Sequence, residues 1–445
     1  MGGFAAVVAS VVASSACGGS PALHAAQVGD RSGLHAAIAA REGAGTLSNG
    51  EAAAIAEAVV RRELVSAAPA DASDRIRDAL PCAHELDAAL ADRMRVHDAV
   101  GADAALARIA GRGLSLGDAR TYAEDADARW RAVGARGLVR RDDREARLRA
   151  LADASPAVRR QAARAARDAA DAADLGLLAD AARLDPEPIV RTEAVRAIAE
   201  LPASGGDGAV NALRDLWTTG DDGLREDIAL AWASPALWDA GGREALRVLV
   251  ASGHGPGAIE AAAAVLRHGD GNGNGGREGA GEVLDAAAGQ LARAIATGSR
   301  ATRLQALAEA PLDRTDLREA VRTASSDDDL EVRVGALSRL SRLLHGPGAS
   351  APDATAIAAL EWLAQPGSAV ASRARFALAA AGDRRVQSWI EADLTASAAE
   401  DRLGAATALA SLGVSARAAT LLSDADPSVR VRSACTIVMA ARATH

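Results

Sequence analysis

Lysine is missing from this chain of 445 residues, so its 50 basic residues are all arginine. That excludes a phosphate-binding loop of the Gly-Lys-Ser type, and H-E-x-x-H does not occur either. Aromatics make up only 2% of the chain. A β-sandwich needs β-branched and aromatic residues in alternation, so that architecture is excluded too. Cysteine is scarce: Cys17, Cys82 and Cys435 are too few for a disulfide framework, and no C-x-x-C pair suggests zinc or redox chemistry. Positive charge is also in deficit. A net charge of −9 argues against general nucleic-acid binding, which needs a positive field.

What the chain does have is alanine. Hydrophobic residues reach 49%, with alanine prominent among them. Small residues with Leu and Val at helical spacing suit thin helices packed closely together. The length allows two or three ordinary domains or one long repeat array.

A recurring phrase decides between these. "LDPEPIVRTEA", "DDDLEVRVGA", "ASPAVRRQAA" and "DADPSVRVRSA" each place an acid or a short polar step before Val-Arg and a small residue. Aligning on the arginine or its stand-in gives Arg129, Arg159, Arg191, Arg225, Glu260, Arg303, Arg333, Arg373, Arg402 and Arg430. The period is about 30 residues once insertions at 268–282 and 345–354 are set aside. In "LDPEPIVRTEAVRAIAEL", Asp185 can cap a helix and Pro186 or Pro188 suits its first turn, where a missing N–H costs nothing. Val190, Ala194, Ile198 and Leu201 form one apolar stripe. Glu193 with Arg196, and Glu187 with Arg191, are spaced to pair on the polar side. One such helix pair cannot cover its own apolar face. Stacked neighbours bury a continuous core, which is why the phrase must recur.

The phrase resembles the short bacterial HEAT-like repeats with a D-x-x-V-R-x-x-A signature. The residues that carry it are Asp185, Val190, Arg191 and Ala194; Val332, Arg333 and Ala336; and Asp426, Pro427, Val429 and Arg430. The resemblance implies an all-α fold, an α-solenoid of stacked helical hairpins over 121–445, used for protein–protein contacts. A few members of the family are lyases or DNA glycosylases. Residues 31–120 are also helical in pattern and read as divergent or capping repeats.

The first residues carry a second resemblance. "FAAVVASVVA" is an apolar run too short to span a bilayer and suited to a signal-peptide core. Ala16, Cys17 and "GGS" follow, similar to a bacterial lipoprotein signal, although Ser14 stands where a large aliphatic residue is usual. The resemblance implies a signal peptide over 1–16, a lipid on Cys17 and a flexible tether over 17–30. It places the protein on the periplasmic side of an envelope membrane, with Gly18 favouring the outer one.

Other candidates are weighed against simpler readings. Asp270, Asn272 and Asn274 alternate as the opening of a calcium loop does, but the twelfth position is Gly281 and the acid Glu282 comes one place late. The segment reads as a Gly-rich insertion, and no metal or cofactor is expected. Residues 129–167 hold twelve arginines against four acids. Intrahelical pairing on a solvated face accounts for these, and Arg140, Arg141, Arg144 and Arg147 are the candidates for docking an acidic partner. Trp217, Trp232 and Trp238 are expected in the core. Ten stacked pairs at roughly 8–10 Å each would span ~80–100 Å. Cys82 and Cys435 are therefore expected far apart and unpaired.

The function expected is a lipid-anchored scaffold holding another protein, without chemistry of its own. The alternatives are a lyase-type enzyme or its accessory, and a cytoplasmic protein binding nucleic acid through 129–167.

Overall fold

The structure is a computed structural model that describes residues 20–443, apart from 67–68, 113–115, 202–205, 254–256, 270–279 and 343–352. The signal segment, Cys17, the Asp270–Asn272–Asn274 candidate and most of both insertions therefore lie outside the described residues. Regular structure among the described residues is helical throughout, and the fold is an all-α solenoid.

One repeat shows how the sequence builds it. Helix Leu175–Leu184 packs on helix Pro188–Ala199, which stacks on Pro156–Ala169 before it and Asp222–Trp232 after it. Val190, Ala194 and Ile198 are fully buried. So are Ala162, Ala163, Ala165 and Ala166 on the preceding helix, where alanine lets the two backbones approach. A buried side chain the size of Ile198 contributes about 1.5–3 kcal/mol.

The recurrent acid has two tasks. One oxygen accepts the N–H two residues on, tightening the turn before the helix: Asp153 from Ser155 (2.8 Å), Asp185 from Glu187 (2.9 Å), Asp327 from Asp329 (2.8 Å) and Asp424 from Asp426 (2.8 Å). The next residues cap the helix in turn, as Asp426 does through the Ser428 N–H (2.8 Å) ahead of Val429. At 185 the N-cap is Glu187 with Pro188 behind it, so Asp185 acts one step earlier than its sequence position suggests.

The acid's other oxygen takes an arginine from the preceding repeat. Arg131 bonds Asp153 (2.8 Å), Arg159 bonds Asp185 (2.7 Å), Arg191 bonds Asp221 (2.7 Å), Arg303 bonds Asp327 (2.6 Å) and Arg402 pairs with Asp424 (2.9 Å). Most of these arginines also donate to the carbonyl six residues before them, as Arg191 does to Asp185 (3.1 Å). Arg333 does the same toward Asp327 (2.8 Å). Arg131, Arg159, Arg191 and Arg402 make both contacts and so tie their own turn to the next one, and these ties form a ladder that is interrupted at Arg225, which pairs with Asp222 of its own helix (3.3 Å). The Arg131 bond holds the Asp153 carboxyl below the usual carboxylate range, against the opposing effect of burial. Burial alone would raise the Asp185 carboxyl, but Arg159 and the Glu187 N–H outweigh it and the net direction is down.

The ladder corrects the alignment at two places: Arg131, not Arg129, carries the tie, and Arg375, paired with Asp393 (2.6 Å), replaces Arg373. It also corrects the intrahelical pairs. Arg191 leaves Glu187 for Asp221, and Arg196 leaves Glu193 for Asp227 (3.1 Å).

The array does not end as an open rod. The C-terminal helix Pro427–Ala443 packs against Asn49–Ser66 and Pro69–Ala79, and these lead through Ala99–Arg112 to Ala128–Gly137. The helical layer therefore closes on itself. The last ladder arginine shows how: Arg430 donates to Glu63 (2.7 Å), a carboxylate of the N-terminal segment standing where the next repeat would offer its aspartate. Asn49 bonds both Gly413 O (3.1 Å) and Ala416 N (2.9 Å), and His35 meets Ser423 (3.1 Å).

Cys82 and Cys435, both buried, form a disulfide at this seam with a Cα–Cα distance of 5.3 Å. The expectation of distant, unpaired thiols is wrong. It counted stacking distances and left out curvature: in most of the array the second helices of the pairs pack on one another more extensively than the first helices do, so every repeat turns the stack. The expected tether over 17–30 is corrected as well, over its described part. Pro21–Val28 is a helix ended by Gly29 at φ 77°, and Ala22, Ala25 and Ala26 are buried.

Candidate interaction surface

Because the second helices form the inner layer, the residues on their free side face inward. Two grooves run along this side, and they differ in chemistry.

The first, about 490 Å³, crosses Pro69–Ala79, Ala99–Arg112, Ala128–Gly137, Pro156–Ala169 and Pro188–Ala199. Six arginines line it: Arg77, Arg136, Arg160, Arg164, Arg167 and Arg196. The lining carboxylates are Asp103 and Glu193. Glu193 is buried and shared by Arg160 (3.3 Å) and Arg164 (2.6 Å). Burial pushes its carboxyl up, and those two guanidiniums bring it down past its ordinary value. Asp168 is shared in the same way by Arg136 (2.6 Å) and Arg167 (3.6 Å). Four guanidiniums thus meet two carboxylates. Arg77 pairs with Asp74 across an exposed helix surface (2.9 Å), a contact of little strength.

The second groove, about 650 Å³, crosses Arg300–Glu309, Leu330–Ser341, Ala371–Ala380 and Ala399–Ser411. Leu304, Val334, Phe376, Ala377 and Ala408 make its floor apolar, and Glu331, Arg342 and Arg373 stand among its lining. Gly404 is required here, since a Cβ would fall 2.3 Å from the Phe376 ring.

The arginines singled out from sequence sit elsewhere. Arg147 is 1% exposed and held by the equally buried Asp174 (2.8 Å), with Arg140 O as a further acceptor. It is a core ion pair and cannot dock a partner. Arg144 bonds Ala173 O (2.9 Å) and pairs with Asp174 (3.3 Å). Arg140 pairs with Asp142 (3.3 Å), and Arg141 is exposed. The apparent charge excess of 129–167 came from where the window stopped: Asp168, Asp171, Asp174, Asp185 and Glu193 follow it and take its arginines. A finer signal was available. Arg160, Arg164 and Arg167 are spaced i, i+4, i+7 and so share one helix face.

The signature residues hold the scaffold together. Val190, Val332, Val429, Ala194 and Ala336 are fully buried. Trp232 is buried against Trp217 (ring centroids 5.3 Å), and half-buried Trp238 lies on His268 (4.4 Å). Among the described residues, no group of three metal-ligating side chains comes together, and no helix is long and apolar enough to cross a membrane.

Residues 145–233 match the HEAT-repeats family, within the ladder described above. Several solved structures align with the chain. One, an engineered protein, is 20% identical over 87% of this chain and 98% of its own, with a TM-score of 0.29. The Escherichia coli protein YibA is 13% identical over 71% of this chain and 98% of its own, at 0.29. The karyopherin Kap121p, solved bound to Nup53p, is 12% identical over 89% of this chain and 48% of its own, at 0.30. No curated protein matches the chain in sequence.

Proposed function

We propose that the protein is an interaction scaffold without chemistry of its own, exported and held at an envelope membrane by a lipid on Cys17. The observation that carries the binding role is the inner face, where each groove crosses the inner helices of four or more neighbouring pairs. A groove of that form accommodates an extended stretch of another polypeptide, with each repeat contributing a few contacts.

Export draws support from the seam. Disulfides persist in oxidising compartments and are rare in the cytosol, and Cys82–Cys435 joins the two ends of this fold. The first described helix begins at Pro21, four residues after Cys17, so a lipid there would hold the solenoid near the membrane surface. More than one acyl chain is needed for stable anchoring.

Fractionation of the native host tests the address. Wild type should sit in the membrane with an acylated Cys17 at its N-terminus, and Cys17→Ser should leave it. Recovery of both forms from the cytoplasm with Met1 or Gly2 intact would overturn export. The binding role is tested by placing a photocrosslinking residue at Gln161 or Ser338, inside the grooves. Discrete adducts with an envelope protein are expected there and not from position 141. Equal labelling at all three positions would contradict it.

A further inference from the structure

We propose that the arginine-lined groove takes an acidic polypeptide segment, one whose Asp and Glu side chains supply the carboxylates the groove lacks. The inference rests on the scaffold reading and specifies the partner's chemistry.

The geometry is that of an incomplete set of ion pairs. Outside the groove, the ladder arginines Arg159 and Arg191 have carboxylates of their own, Asp185 and Asp221, and within it Arg77 and Arg196 have Asp74 and Asp227. In the groove, Glu193 serves both Arg160 and Arg164, and Asp168 serves both Arg136 and Arg167. A guanidinium carries five N–H donors in a rigid fork suited to a second carboxylate. The sharing therefore leaves donors in place for an incoming acid. Arg160, Arg164 and Arg167 come from one helix face, and Arg136 and Arg196 from the helices on either side. The donors thus cross three repeats, the direction an extended chain would follow.

The same observations disfavour nucleic acid as occupant. Among the described residues, no aromatic ring lines this groove to stack on a base, Trp130 being fully buried. The protein's net charge of −9 opposes the long-range attraction that polyphosphate binding uses. A short acidic segment needs only the local field of the groove.

The experiment uses the whole chain and a fluorescein-labelled oligoglutamate peptide, read by anisotropy at low and raised salt. A neutral Gly/Ser peptide and a single-stranded oligonucleotide of the same length are the comparators. Oligoglutamate should bind, weaken with salt, and bind at least about tenfold more weakly to the triple variant Arg77→Glu, Arg167→Glu, Arg196→Glu. These three sites leave the buried Glu193 pairs intact. Glutamine at the same positions should give an intermediate loss, so a reversal that perturbs folding does not decide the outcome. Reversal of Arg95, Arg140 and Arg141, exposed outside the groove, should change nothing. Tighter binding of the oligonucleotide, lost in the same variant, would overturn the proposal in favour of nucleic acid. Oligoglutamate binding that is absent or indifferent to the groove variants would overturn it as well. If the photocrosslinked partner is still captured by the groove variant, the scaffold reading stands and only the acidic-segment inference falls.

Discussion

Two junctions in this molecule do the same work with different sequences. Between residues 125 and 221, neighbouring repeats are tied by an arginine reaching the next repeat's aspartate, as at Arg131–Asp153, Arg159–Asp185 and Arg191–Asp221. At the seam, Arg430 finds Glu63, which sits in "AVVRRELVS" with none of the repeat's turn residues around it. The N-terminal segment lacks the phrase and still completes the circuit. An apolar helix face and a carboxylate at one position are therefore enough to continue the ladder, and the Asp-x-x-Val-Arg wording is one way of supplying them. The ladder also repeats, so losing one rung leaves the others. The seam adds a disulfide and the Asn49 clamp.

The largest loss is expected at the fully buried ion pair that lies between the rungs. Arg147→Ala would leave Asp174 charged, buried and without its main partner, and should lower stability by about 3–5 kcal/mol, measured by urea unfolding. A loss close to zero would mean that the pair is not buried as described. At the seam, Glu63→Gln should cost about 1.5–3 kcal/mol, the range for hydrogen bonds to charged groups. Its signature is local: amide exchange should rise in Asn49–Ser66 and Pro427–Ala443 and stay unchanged in Pro188–Ala199. Uniform acceleration would contradict a discrete seam. Gly134→Ala tests close packing inside the regular half, since the added Cβ would fall 2.0 Å from the Ala123 backbone nitrogen. Overpacking of this kind should cost about 1–3 kcal/mol, visible as a lowered melting temperature.

The smallest effect concerns pH. The carboxyls of Asp153, Asp185 and Asp221 lie below the usual range in the folded protein: Arg131 is the main cause for the first, Arg159 overcomes burial for the second, and the Leu224 N–H leads for the third. Groups depressed on folding bind protons more readily when unfolded. Their stabilisation is present above the unfolded value of about 3.9 and is lost as pH falls through the folded values. The melting temperature should stay level from neutrality to about pH 5 and fall below pH 4. Asp185→Asn should be less stable at neutrality and lose less on acidification. An unchanged acid slope would remove Asp185 from the ladder.

The repeat was legible because the turn chemistry, the buried Val and the small residue occur together at Val190–Ala194 and Val429–Ala434. The ladder was legible only as a spacing, because the arginine's partner belongs to the next repeat, 22 residues on for Arg131 and 26 for Arg159. That is why the arginine-rich window was read as pairing within its own helices and why Arg147 looked available. Closure was not legible at all. It depends on curvature accumulated over the whole array and on Glu63, which no local pattern marks. The basic groove was partly legible in the spacing of Arg160, Arg164 and Arg167, but Arg77 and Arg196 join them only through the fold.

The most direct test of closure is a non-reducing peptide map of the folded protein after mild oxidation. Closure predicts one linked peptide pair containing Cys82 and Cys435, formed in the monomer. Recovery of both cysteines as separately blockable thiols would mean that the ends lie apart, and the solenoid would be open.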